Sequence, residues 1–405
     1  MASTTSNAEL VDEYRARTPA SAQTFARACQ VLPGGETRAV TSYLPYPVTI
    51  AEGHGARLCD VDGHSYLDLV NNYTSLVHGN AFAPVTEAVG ELLPHGVAFA
   101  SPHPLQIAHA ELLIDRLPSL ERVRFTNSGT EASLLAARIA VRATGRRRLL
   151  MFEGGYHGSA AALLPTSPDV VTAPWNDLDA VAATLDDGVA AVFAEPFLGA
   201  GGVLPSAPGF LAALQELAHS RGALLVLDEV QSLRNGIGGE QRRHGLTPDL
   251  TVLGKIIGGG FPIGAVGGRS ELLELTVASS TTDHVAHSGT FNGHLAATVA
   301  GATALRHLDA PAIEWLEDSA AQLAGRITEG ATAAGVPATV SRAGSILNVH
   351  LDGPDRHAAL HLALLLGGVY TTPRGMINLS TALAPADLDS AATAYQLAFT
   401  RVGTV

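Results

Sequence analysis

Lysine is what this chain most nearly lacks. Of 25 Lys and Arg residues among 405, Lys255 is the one lysine and the rest are arginine. Arginine replaces lysine for surface charge and ion pairing, but it keeps its proton, whereas a lysine amine can act as a nucleophile. A lysine retained between the apolar run Leu250 to Leu253 and the glycines 258–260 is a candidate Schiff-base residue. Chance survival of one lysine in an arginine-rich composition is the competing explanation, and the residue alone does not decide. Other shortages exclude more. The net charge is -13 and no basic cluster offsets it, which argues against a nucleic-acid surface. Two cysteines, Cys29 and Cys59, build no disulfide framework and have no metal-ligand spacing. No stretch reaches the ~18–20 apolar residues of a membrane span. The first residues lack the basic-then-apolar pattern of a secretory signal, so the expectation is a soluble cytoplasmic protein.

What is present is apolar bulk: 46% hydrophobic against 16% charged residues, with Ala, Gly and Val prominent. Residues 1–8 read as frayed, and a helical pattern from Ala8 to Gln30 is interrupted at Pro19. Strand signals follow at Tyr46 to Ile50, Ala56 to Gly63 and Ser65 to Val70, with a hairpin turn at Asp62-Gly63. From about Ala81 helices and short strands alternate. Val123 to Thr126 and Leu149 to Phe152 read as short strands, and Ala190 to Ala194, Ala223 to Leu227 and Leu250 to Leu253 are continuous apolar runs of the kind buried in parallel sheets. This pattern predicts an α/β fold with a large doubly wound, mostly parallel sheet. An amphipathic helix over Ala310 to Ala334 then leads into a small α+β segment. The expected division is 1–65 (part of a small domain), 66–308 (large domain) and 309–405 (the rest of the small domain). Arg146 to Arg148 read as cations at a helix end.

Several stretches carry chemistry. Val123 to Glu131 is a strand, a turn and a helix start in which Ser128 and Glu131 fit a capping box. Ser128, Gly129 and Thr130 at a helix N-terminus form a phosphate cradle, or an ordinary N-cap. Phe152 to Ser159 puts Tyr156 and His157 on a glycine-rich turn past a strand, where either ring could stack on a planar heterocycle or lie on a plain surface turn. Asp228 ends a buried strand, and a carboxylate there is costly unless paired. A protonated pyridine nitrogen would suit it, with Lys255 supplying the amine of an electron-sink site. A magnesium ligand at Asp228 and Glu229 is the rival, but no phosphate-loop Gly-Lys-Ser/Thr supports it. His287 to Asn292 is a second small turn, able to offer Thr290 to a phosphate.

Taken together, Asn127 to Ala132 (Asn-Ser-Gly-Thr-Glu-Ala), Gly155 to Gly158 (Gly-Tyr-His-Gly), Asp228 to Val230, Gly254-Lys255 and Ser288 to Phe291 resemble the class III aminotransferases, pyridoxal-phosphate (PLP) enzymes of fold type I. The resemblance runs from about Leu32 to Asp389. It implies PLP as cofactor, with Lys255 as the Schiff-base lysine and Asp228 on the pyridine nitrogen. It implies Tyr156 on the ring, His157 and Gln231 at the cofactor, and Ser128, Gly129, Thr130 and Thr290 on the phosphate. Thr290 would serve the neighbouring subunit, hence a homodimer with shared active sites. Thr37 to Ile50, Asn72 to Thr74 and Tyr370 to Gly375 are similar to the branch holding glutamate-1-semialdehyde aminomutase and β-phenylalanine aminotransferase. There, residues at the places of Arg38 and Arg374 bind substrate carboxylates, a task suited to a planar guanidinium. Two stretches depart from the pattern: the loop Leu233 to His244, and a short segment from His350 to Tyr370.

The resulting expectation is an aminotransferase acting on an amino acid, a β-amino acid among the candidates, with a 2-oxo acid such as 2-oxoglutarate as acceptor. A PLP-dependent aminomutase, racemase, decarboxylase or carbon–carbon bond-forming enzyme is the alternative on the same scaffold. A catalytically dead regulator is a third reading, opposed by intact Lys255 and Asp228 and by the acidic chain.

Overall fold

The computed structural model describes residues 7–278 and 284–403. It forms two compact units, Ala83–Ile313 and the pair Met1–Phe82 with Glu314–Val405. The first expected boundary, at 65, falls inside the strand Ser65–Asp68, which is hydrogen-bonded to strands of its own unit on both sides. The chain therefore stays in that unit as far as Phe82. The expected residues 1–8 fall partly outside the described residues; from Asn7 the chain is helical to Arg17.

In the larger unit a seven-stranded sheet has the order Arg122–Thr126, Gly264–Gly268, Leu250–Gly254, Leu224–Asp228, Val189–Ala194, Arg148–Phe152 and Val170–Ala173. All of these strands run in one direction except Gly264–Gly268, which is antiparallel to both neighbours. The apolar runs are continuous because helices cover both faces. Leu225 and Leu227 pack with Phe210, Leu211 and Leu214 of the helix Phe210–Ser220. Val226, between them, packs with Leu135, Ile139 and Ala140 of the helix Gly129–Thr144 on the other face. The strand Gly264–Gly268 is not anticipated from Gly-Ala-Val-Gly-Gly, which has one β-branched residue. Space explains it: a Cβ at Gly264 would lie 2.1 Å from the Ser128 carbonyl oxygen, and one at Gly267 would lie 2.4 Å from Leu120.

The helix Gly129–Thr144 closes on Gly145 at φ 68°. The three arginines after it do not cap that helix, contrary to expectation. Arg146 donates to the Val189 and Arg221 carbonyls, Arg147 pairs with Asp169, and Arg148 pairs with Asp186. They tie the start of one strand to neighbouring loops.

In the other unit the strands Ile50–His54, Arg57–Asp60, Ser65–Asp68 and Val369–Tyr370 form one sheet, and Ala338–Ala343, Ile346–Leu351 and Met376–Asn378 another. The hairpin at Asp62-Gly63 is present, with Leu58 opposite Tyr66. The strand expected over Tyr46 to Ile50 begins only at Ile50. Pro45 and Pro47 bring no N–H to a ladder there. The long helix is Ala310–Ala333 and buries Leu316, Leu323 and Ile327. After the strand Ser65–Asp68 the backbone enters a left-handed turn: Asn71, Asn72, Tyr73 and Thr74 have φ of 46°, 47°, 54° and 77°. An L-residue costs roughly 1–2 kcal/mol in this region, least for Asn. Buried bonds hold the turn. Asp68 Oδ1 accepts from the Val70 and Asn71 N–H groups, both at 2.9 Å. The Asn71 amide donates to the Asn378 carbonyl at 2.6 Å, and the Asn378 amide donates to the Val70 carbonyl.

Candidate active site

In the larger unit the ends of the strands that run in one direction gather the chemistry at one edge. Thr126 is paired with Gly264, and Gly264 with Gly254, the residue before Lys255. Asp228 is paired with Val252, three positions before Lys255 along the adjacent strand. Lys255 itself is half-buried with φ 48°, a left-handed conformation that a non-glycine residue adopts only where the surroundings enforce it. Ile256 and Ile257, 1% and 0% exposed, anchor the chain behind it. Gly254 lies so close to the cradle that a Cβ there would be 3.5 Å from the Gly129 Cα and 3.4 Å from Val230.

The helix Gly129–Thr144 starts at this edge because Ser128 Oγ accepts from the Glu131 N–H at 3.2 Å. The reciprocal arm reaches one residue further back than a capping box does: Glu131 Oε2 accepts from the Asn127 N–H at 2.9 Å. The turn with Tyr156 and His157 is held against the helix start by Gly158. At φ 113° a Cβ there would lie 2.5 Å from Thr130 Oγ1. The two rings of that turn part company. Tyr156 is 53% exposed, whereas His157 is buried with its Nδ1 2.8 Å from Asp228 Oδ2 and its ring edge-on to Phe193. Of the two rings, only that of Tyr156 is left open to a ligand, while His157 is turned to Asp228. Burial would lower the His157 pKa, but the hydrogen bond and charge of Asp228, with Glu195 beyond, outweigh it and raise it.

Glu195 has no place in the sequence reading. It ends the strand Val189–Ala194 as Asp228 ends its own, and that shared signal (an acid closing an apolar run) could have found it. Its Oε2 accepts from the Tyr156 N–H at 3.0 Å and its Oε1 from the Gly199 N–H at 3.1 Å. Burial pushes its pKa up to about 7. Gln231 lies against Gly199, and its Oε1 is buried without a hydrogen-bond partner. Thr290 is not brought to the Ser128–Thr130 cradle by any hydrogen bond among the described residues. It is exposed beside Phe291, which is 57% exposed, although Asn127 Nδ2 donates to the nearby Asn292 Oδ1 at 2.9 Å. No group of His, Cys, Asp and Glu among the described residues has the arrangement of a metal site.

In the other unit Arg38 and Arg374 both lie close enough to Tyr73 for their charge to act on its phenol. Both are exposed, and neither has a carboxylate partner among the described residues. Arg38 Nη1 donates to Asn72 Oδ1 at 2.7 Å, and its Cζ lies 5.1 Å from the Tyr73 ring centre.

The fold, with this strand edge, is that of the PLP-dependent enzymes of fold type I. Comparison with known proteins makes the assignment specific. The class-III aminotransferase model matches residues 39–174 and 168–394, and the chain belongs to that family. Its cofactor is PLP. It is 38% identical over 406 residues to a β-phenylalanine transaminase of Variovorax paradoxus, covering 94% of this chain and 93% of that protein. It is 39% identical over 355 residues to a glutamate-1-semialdehyde 2,1-aminomutase of Brevibacillus brevis, covering 81% and 82%. Among solved structures, an omega-transaminase from Sphaerobacter thermophilus superposes with a TM-score of 0.91 at 38% identity, covering 95% of this chain and 98% of that one.

Proposed function

We propose that this enzyme moves the amino group of a carboxylate-bearing amino acid, with β-amino acids such as β-phenylalanine first among the donors, to a 2-oxo acid such as 2-oxoglutarate. The observation that carries this reading is the strained Lys255 at the strand edge it shares with Asp228. The edge fits PLP. The orphaned Gln231 oxygen is a buried polar atom in need of a partner, and the helix start supplies N–H groups and hydroxyls to a phosphate. Ser128, Gly129 and Thr130 would hold the phosphate, with Thr290 donated by a second copy of the chain. Asp228 would face the ring nitrogen, Tyr156 the ring face, and His157 and Gln231 would act beside them. When bound, PLP supplies an electron sink that makes the proton on the amine-bearing carbon removable.

The chain's own residues do the rest. Lys255 Nζ would hold the cofactor and, once freed by the substrate amine, would carry the proton between the substrate carbon and the cofactor. Asp228, oriented by its hydrogen bond with His157, would face the ring nitrogen and favour its protonated form. Arg38 and Arg374 orient carboxylates. The two units correspond to a large cofactor domain and a small substrate domain. The exposed Thr290 and Phe291 support a homodimer. Among the described residues no helix is long and apolar enough to cross a membrane, and we place the enzyme in the cytoplasm.

The test is the visible spectrum of the purified protein. A band that bleaches with β-phenylalanine and returns with 2-oxoglutarate establishes the transfer. In Lys255→Ala, turnover should fall by at least about 10³-fold. Undiminished turnover in that variant would sink the assignment. A band that responds to the donor but not to 2-oxoglutarate, with an isomerised product, would favour the aminomutase reading that the Brevibacillus relative brings.

A further inference from the structure

The left-handed turn Asn71–Thr74 is the longest run of non-glycine residues at positive φ among the described residues. Strain maintained by a buried network marks a segment whose geometry is needed. What the turn delivers is contact with one side chain. The Asn72 amide is oriented from both ends: its Nδ2 donates to Ser75 Oγ at 2.9 Å, which leaves its Oδ1 to accept from Arg38. Tyr73 places its ring under the same guanidinium and fixes its own position by donating from its hydroxyl to the Val40 carbonyl at 2.9 Å. Arg38 is thereby gripped by a neutral amide and a neutral π face.

We propose that Asn72 and Tyr73 are positioning residues that aim the Arg38 guanidinium while leaving its charge uncompensated for a substrate carboxylate. The proposal rests on the reading of Arg38 as a carboxylate binder and deepens it. A carboxylate in place of the Asn72 amide would hold Arg38 equally well, but it would neutralise the cation and compete with the ligand. A neutral grip orients without competing, so the site selects donors that carry an acid over plain amines. The left-handed turn is the backbone conformation that brings two successive side chains, Asn72 and Tyr73, onto one guanidinium.

Asn72→Asp tests this directly. Asp is nearly isosteric with Asn and tolerates positive φ comparably, so the turn is kept. In the holoenzyme, KM for the amino-acid donor should rise on the order of tenfold or more, with a smaller change in kcat. The calorimetric Kd of hydrocinnamate, the donor less its amino group, should weaken in parallel, with the cofactor band unmoved. Asn72→Gly, which favours the same φ and adds no charge, should lose less than Asn72→Asp. An Asn72→Asp enzyme whose KM and hydrocinnamate Kd stay within about twofold of wild type, beside an Arg38→Ala enzyme that is weakened in both, overturns the positioning role alone. An Arg38→Ala enzyme unchanged in both measurements overturns the reading of Arg38 beneath it.

Discussion

Asp228 and Glu229 are consecutive acids, 5% and 0% exposed, yet they serve different parts of the molecule. Glu229 is held by its own chain at three of a carboxylate's about four acceptor positions. It accepts from the Ser232 hydroxyl at 2.5 Å and from the Glu240 and Gln241 N–H groups at 3.1 and 2.8 Å, tying the loop 232–241 to the strand end. Burial still outweighs those bonds and raises its pKa to about 7. Asp228 accepts from the Val230 N–H at 3.0 Å and faces an ionisable ring, His157, rather than a closed set of backbone donors. A carboxylate has about four acceptor positions, so Asp228 keeps capacity for a ligand. A buried acid held mostly by its own backbone works as a brace, whereas one facing a single imidazole keeps positions for a ligand.

That distinction breaks if the two acids respond alike. Asp228→Asn should lower kcat/KM by about 10²–10³-fold, the loss typical of removing one preorganised electrostatic partner, while leaving thermal stability nearly unchanged. Glu229→Gln should do the reverse, and comparing steady-state kinetics with melting curves of both variants checks it. A smaller effect belongs to His157→Phe, which leaves Asp228 without its ring partner. The PLP Kd of the apoprotein, followed by cofactor titration, should weaken by about tenfold to hundredfold, the worth of a hydrogen bond to a charged group. A last effect, in stability rather than activity, lies in pH dependence. The folded state keeps the Glu229 proton to about pH 7, whereas the ordinary value is 4.5. Stability therefore falls as pH rises through that window and levels off above it, by about 3 kcal/mol for this group. Glu195 titrates over the same window. Glu229→Gln should accordingly flatten, without abolishing, the decline in melting temperature between pH 5 and 7.

The sequence reading reached the elements whose side chains announce themselves. Apolar runs gave the parallel strands, the Ser128 cap gave the helix start, and the lone lysine pointed to the strand edge beside Asp228. It missed what depends on partners distant in the chain. Gly264–Gly268 is a strand because of what lies against it, not because of its own propensities. The ring of His157 turned from the expected stacking surface toward Asp228, 71 positions away, a pairing with no local signal. Glu195 was legible by the rule that found Asp228, but it ended a run with no companion motif. The Asn71–Thr74 turn was illegible for a related reason. Its strain is sustained by Asn378, 307 residues from Asn71, and local preference would have argued against it.

The solitary lysine has a consequence for proteolysis. A lysyl endopeptidase has a single bond to attack in 405 residues, Lys255–Ile256. That bond lies just past the buried strand Leu250–Gly254 and leads to Ile256, 1% exposed. A protease cannot draw it into an extended conformation while the sheet edge is closed. The chain is thus cut in two only when the segment bearing Lys255 opens. One cleavage product then times that opening, unblurred by nicks in surface loops.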